Sequence, residues 1–254
     1  VTAFGAVGAR ADGVLLDAVL LDVDDTLVDT RGAFAAALAA VAEAHLPGDV
    51  DHAAVLEHWR GDPAGHYRSY TRGETDHRTQ RRLRADLLHR TFGGAPVGED
   101  AFDAWDELFW GTFERSWRAF DDAAPFVAGL RDAGLRVGVV TNAAVALQER
   151  KLAAVGLDLP VLVGVDTLGF GKPHPDVFVE GARLLGSAPG RTAYVGDEPM
   201  IDARAAHDAG LLGVWLDRPG ARRTDERDVD VARLREAGIV VAPGLDDVAV
   251  AFGL

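Results

Sequence analysis

Apolar residues in this chain follow two rhythms, and the changes between them divide the sequence. Ala18-Val19-Leu20-Leu21 is an unbroken apolar run that ends abruptly in Asp22-Val23-Asp24-Asp25-Thr26. A strand buried on both faces reads this way. From residue 31 to about 118 the apolar repeat becomes three-and-four, which predicts helices and no strand. Helices are expected over 32–46, stopped by Pro47, over 50–60, and over 75–92 with Leu83, Leu87 and Leu88 as the stripe. A fourth is expected over 99–120, where Phe102, Trp105, Phe109, Trp110, Phe113 and Trp117 keep the same spacing. That aromatic stripe reads as the core of the helical segment.

At Asp121 the pattern changes again. Short apolar runs at 137–140, 161–165, 192–195 and 212–216 alternate with helical patterns at 125–133, 145–155, 176–185 and 199–209. A last strand at 239–242 and a helix at 245–252 follow a polar, arginine-rich stretch at 219–230 that reads as a loop. Strand–helix alternation with apolar strands predicts an α/β fold with a parallel sheet wrapped by helices. Residues 1–30 and 119–254 are expected to form that core, interrupted by an all-helical domain over 31–118.

Composition narrows the function classes. The 254 residues are 48% hydrophobic and 26% charged, the balance of a globular protein. No apolar stretch approaches membrane-spanning length, and residues 1–13 lack the basic start and long apolar block of a signal peptide. A cytoplasmic protein without membrane partners is therefore expected. The absence of cysteine excludes disulfides, zinc–thiolate sites and thiol nucleophiles. A net charge of −14 argues against nucleic acid as a partner. Only two of the 26 basic residues are lysines, Lys151 and Lys172.

Four of the predicted strand ends carry chemistry. Asp22 and Asp24, two residues apart, point to the same side of a strand tip while Val23 points back. Such a pair is self-repelling unless a cation lies between them, although Asp-Asp-Thr is also common turn sequence. Thr141-Asn142 follows the second strand and can hold an anion's oxygens or cap the next helix. Lys172, in Gly171-Lys172-Pro173-His174-Pro175, can neutralise a carboxylate cluster or stand solvated in its loop. His174 reads as structural. Asp197 follows Gly196 at a strand tip, and Asp202 falls in the first turns of the next helix, where the helix terminus favours acids.

In this order the four segments resemble the motifs of the haloacid dehalogenase-like hydrolase superfamily: Asp22-Val23-Asp24-Asp25-Thr26, Thr141-Asn142, Gly171-Lys172-Pro173, and Gly196-Asp197 with Asp202. The resemblance covers about four fifths of the chain and implies a Rossmann-like core with the helical segment as an inserted cap domain. One departure is Asp25, which stands where glycine is commonest. The resemblance implies a phosphatase acting on a small phosphorylated metabolite, with Asp22 as nucleophile and Asp24 as general acid–base. Mg2+ would be held by Asp22, the Asp24 carbonyl and Asp197, with Thr26 and Asp202 supporting them. Thr141, Asn142 and Lys172 would bind the phosphate. Arg68, Arg72 and Arg78 in the insert are candidates for substrate selection, beside the simpler reading of a solvated helix face. A monomer or homodimer is expected.

Rival readings can be separated by residue type. A 2-haloacid dehalogenase attacks carbon and has no use for Asp24 as an acid. A phosphonate-cleaving relative needs a cap lysine, and no lysine precedes Lys151. A sugar-phosphate mutase shares the core and stands second. A signalling receiver lacks the helical insert, and a non-catalytic binding protein would have lost a motif residue.

Overall fold

The computed structural model describes residues 10, 11, 13–223 and 226–254. The expectation about a signal peptide therefore falls largely outside the described residues. A short antiparallel ladder, β1 (Arg10–Ala11) with β2 (Val14–Leu15), turns at Gly13 and precedes β3 (Ala18–Leu21), whose four residues are all fully buried.

Five helices follow: α1 (Thr30–His45), α2 (His52–Gly61), α3 (His66–Thr71), α4 (His77–Thr91) and α5 (Glu99–Arg115). Aspartates set three of the starts, with Asp29, Asp51 and Asp76 each accepting a hydrogen bond from an amide of the first turn. The sequence pattern misses α3, because Gly61, Pro63 and Gly65 read as breakers. The carboxylate of Asp62 rescues that turn by accepting from the amides of Tyr67 and Arg68. The helix predicted over 99–120 stops at Arg115, and Trp117 packs beyond its end against Phe113. Phe102, Trp105, Phe109 and Phe113 are buried, with Phe113 stacked on Phe34 at 4.7 Å.

The remainder alternates: α6 (Ala123–Asp132), β4 (Arg136–Val140), α7 (Val145–Ala154), β5 (Val161–Val163), α8 (Val165–Leu168), α9 (Pro175–Leu184) and β6 (Thr192–Gly196). A wide π-type turn, Pro199–Arg204, then runs into α10 (Ala205–Asp208). It is followed by β7 (Leu212–Leu216), α11 (Val231–Glu236), β8 (Val240–Ala242) and α12 (Leu245–Phe252). Strand β5 ends two residues before its predicted limit, because the Gly164 amide turns to the Thr167 hydroxyl and starts α8.

Strands β3 to β8 form one parallel sheet in the order β5-β4-β3-β6-β7-β8. The chain builds outward from β3 on one side, then crosses to build on the other. The C-terminal ends of β3, β4 and β6 therefore flank a topological switch point, the place where open parallel sheets bind ligands. The chain divides into two compact units. One holds the described residues up to Leu27, Ala119–Ala221 and Val229–Leu254; the other holds Val28–Arg118 and the described part of Arg222–Asp228. Among the described residues, no helix is long and apolar enough to cross a membrane.

Candidate active site

Register sets the site. Leu21 pairs with Val139 on one side and Val195 on the other, so Asp22 emerges level with Val140 and Gly196. Its amide donates to the Val195 carbonyl at 2.9 Å, which holds the carboxylate at the strand tip. Into this point comes Lys172, whose Nζ donates to Asp22 Oδ1 (2.8 Å), Asp202 Oδ1 (2.6 Å) and the Tyr194 hydroxyl (2.8 Å). All four side chains are buried.

Two glycines make that convergence sterically possible. A Cβ on Gly171 would lie 2.2 Å from Asn142 Oδ1, the atom that accepts the Lys172 amide. The Asn142 amide group donates in turn to the Lys172 carbonyl at 3.0 Å, so the Asn142 side chain anchors the lysine loop. A Cβ on Gly196 would lie 2.4 Å from Asp202 Oδ2. The glycine before Asp197 therefore makes room for the second acid. Asp202 Oδ2 also accepts from the Glu198 amide, which ties the π-type turn to the strand end.

Charge is unbalanced here. Carboxylate oxygens of Asp22, Asp197 and Asp202 lie within 4.8 Å of one another, and Lys172 pairs with two of the three acids. Burial pushes the Asp22 carboxyl up to about 7 against the pull of Lys172, with Asp202 and Asp24 adding to the rise. The Lys172 ammonium is held well above its usual range: burial opposes it, but Asp202 and Asp22 outweigh burial. The lysine thus stays charged and does not by itself keep Asp22 ionised. A hard divalent cation, which takes oxygen ligands, fits this cluster of two buried carboxylates and one half-buried one.

The second acid has partners of its own. Asp24 is half-buried and forms an ion pair with Lys151, while Gln148 Nε2 donates to Asp24 Oδ2 at 2.6 Å. The same Gln148 nitrogen lies 3.0 Å from Thr141 Oγ1, joining the ends of β3 and β4. Asp25 adopts φ 58°, a left-handed conformation that glycine takes freely and aspartate tolerates, which explains both the usual residue and its replacement. Thr26 is fully buried and its carbonyl accepts from Arg218, while its hydroxyl has no hydrogen-bond partner among the described residues. His174 accepts from the Asp176 amide at 3.3 Å and caps α9.

Asp22, Asp24, Thr141, Asn142, Lys172, Asp197 and Asp202 all lie in the sheet-bearing unit. Arg68, Arg72 and Arg78 belong to the helical unit and are exposed. Arg72 is paired with Glu74 at 2.7 Å, and Arg78 with Asp103 at 2.6 Å and Glu99 at 3.7 Å. Sequence reasoning missed Gln148, Lys151 and Tyr194. The scarcity of lysine pointed at Lys151, but its place inside a predicted helix gave no reason to bring it to a strand end.

The arrangement defines an α/β protein with an acid-rich centre at the C-terminal edge of a parallel sheet. The family model of haloacid dehalogenase-like hydrolases matches residues 16–210, and the chain belongs to that family. Among curated proteins, it is 36% identical over 157 residues to a phosphoserine phosphatase of Thermus thermophilus, a match spanning 59% of this chain and 60% of that relative. It is 28% identical over 234 residues to a glyceraldehyde 3-phosphate phosphatase of Methanopyrus kandleri, covering 87% of this chain and 95% of the relative. A solved defluorinating L-2-haloacid dehalogenase superposes with a TM-score of 0.76 at 23% identity, covering 98% of this chain and all of the other, which shows a shared fold.

Proposed function

We propose that this protein is a Mg2+-dependent phosphatase that hydrolyses a small phosphomonoester through an aspartyl-phosphate on Asp22. The observation that carries the reading is Lys172 bridging the strand-tip Asp22 to Asp202 inside a cluster of three carboxylates. The phosphatases among the relatives support the reaction class.

Asp22 attacks phosphorus and divides one hard hydrolysis into two displacements. Asp24 gives a proton to the departing oxygen, then takes one from the water that cleaves the acyl phosphate. Thr141 and the Asn142 backbone hold the phosphoryl oxygens, joined by Lys172 once it exchanges one of its three hydrogen-bond partners, and Lys172 offsets charge as it builds. Asp22, the Asp24 carbonyl and Asp197 would hold Mg2+, which when bound supplies positive charge to the nucleophile and the phosphoryl group. The dehalogenase reading has only fold likeness behind it, whereas a placed Asp24 suits protonation of a leaving alkoxide.

Residues 31–118 act in this reading as the cap that selects substrate. Arg68, Arg72 and Arg78 remain its candidates, and Arg72 and Arg78 would have to exchange carboxylate partners to contact substrate. The test is Mg2+-dependent release of phosphate from p-nitrophenyl phosphate. Asp22→Asn is expected to lower turnover by roughly a thousandfold or more, and excess EDTA to abolish it. Undiminished activity in either case refutes the mechanism.

A further inference from the structure

The two lysines of this chain are both buried, and each is paired with an aspartate at the end of β3: Lys172 with Asp22, as well as with Asp202, and Lys151 with Asp24. Lys172 was expected from its loop; Lys151 arrives from the middle of α7. Gln148 and Lys151 are three residues apart on that helix and so share a face. Gln148 is fully buried, and its amide nitrogen meets Asp24 Oδ2 and Thr141 Oγ1 together, at 2.6 and 3.0 Å. Lys151 takes the other carboxylate oxygen of Asp24.

Stability alone does not account for this clamp. Gln148 Oε1 is buried without a hydrogen-bond partner among the described residues, a costly arrangement for an amide. Lys151 has been taken out of water although the acid it meets keeps a third of its side chain exposed. What the pair achieves is geometric. Both oxygens of one carboxylate are fixed, two residues beyond Asp22 at the end of β3.

We infer that Lys151 and Gln148 are positioning residues that fix the rotamer of Asp24 so that its carboxyl meets the leaving-group oxygen. The inference rests on the proposed role of Asp24 as general acid. It assigns to α7 a task in proton delivery beyond carrying the phosphate-binding turn that precedes it.

General-acid catalysis helps poor leaving groups most, because a nitrophenolate departs without a proton whereas a more basic phenolate or an alkoxide does not. The experiment measures kcat/KM for a series of aryl phosphates from p-nitrophenyl to phenyl to p-methoxyphenyl, using the 254-residue chain with Mg2+. For Lys151→Met the loss should be below about threefold on p-nitrophenyl phosphate and grow to roughly tenfold or more on p-methoxyphenyl phosphate. Lys151→Arg should recover part of the loss on the basic leaving groups. In an Asp24→Asn background, Lys151→Met should add almost nothing, since the two act as one unit.

A uniform loss across the series, or full additivity with Asp24→Asn, overturns the inference and leaves Lys151 a packing residue. If Lys151→Met lacks the native circular dichroism spectrum, Gln148→Leu carries the same comparison with the same two outcomes. Asp22→Asn separates this failure from a deeper one. An inactive Asp22→Asn with a flat Lys151→Met series refutes only the clamp, whereas an active Asp22→Asn refutes the mechanism beneath it.

Discussion

Asp22 occupies a position where water has been replaced by charges of both signs, and this gives it a measurable signature. Its carboxyl has a folded-state value of about 7, against an ordinary value of 3.8. Over that window the folded protein without a divalent ion holds a proton that the unfolded chain has released. Its contribution to stability therefore falls as pH rises from about 4 to 7. Asp22→Asn removes the contribution. In EDTA, urea midpoints should show the variant gaining on the wild type as pH rises from 5 to 8, by on the order of 2–4 kcal/mol. Saturating Mg2+ should erase most of the gain, because a bound cation lets Asp22 ionise within the folded state. A difference that stays constant with pH would mean that Lys172 alone keeps the carboxylate charged. Asp22, Asp24, Asp197 and Asp202 stood out in the sequence because each carboxylate comes directly after, or close to, an apolar strand, and Lys172 because lysine is rare in this chain. Tyr194 was hidden inside its strand, where an aromatic reads as core. It does pack there, edge-on to Phe178 at 4.9 Å, while its hydroxyl reaches Lys172.

At the scale of elements, the site depends on how closely the π-type turn Pro199–Arg204 can approach β7. Gly213, the second residue of β7, leaves no room for more: a Cβ there would lie 2.1 Å from the carbonyl oxygen of Ala203. That oxygen belongs to the residue after Asp202, so any relief must move the turn that aims Asp202 at Lys172. Gly213→Ala is expected to destabilise the protein by ~1–3 kcal/mol, read as a lower urea midpoint, and to reduce kcat as the bridge is disturbed. Gly129→Ala is the counterpart. Nothing lies within 4 Å of a Cβ at that position of α6, and the substitution should stabilise by about 0.5–1 kcal/mol. Equal effects from the two would show that backbone propensity, not the close approach, governs position 213. The strands of the parallel sheet were readable because short apolar runs bounded by polar residues admit few other structures, whereas the two-residue strands β1 and β2 gave no such run. The short helices α3, α8 and α11 were not, since six residues or fewer hold too little periodicity, and side-chain-to-amide bonds such as those of Asp62 decide them.

For the whole molecule, the question is which unit holds the chemistry and which the choice of substrate. The sheet from β3 to β8, the three clustered acids, both lysines, Gln148 and Thr141 belong to one unit. Within that unit the Phe120 amide donates to the Leu27 carbonyl at 3.0 Å, so the chain leaves and re-enters at neighbouring points. Residues 28–118 can therefore be replaced by a linker of a few glycines and serines without stretching the sheet. With a net charge of −14 the overall field of the chain does not draw anions in from a distance, so discrimination is expected from local groups. If the helical unit supplies them, the excised protein should still unfold cooperatively, bind Mg2+ by calorimetry and release phosphate from p-nitrophenyl phosphate. It should lose its ranking among phosphorylated metabolites, with their kcat/KM values drawing together to within roughly tenfold of one another. An excised protein that keeps the parent ranking would place specificity in the loops at the sheet's C-terminal edge. The helical unit would then matter, if at all, through a step common to every substrate, which would appear as a shared change in kcat.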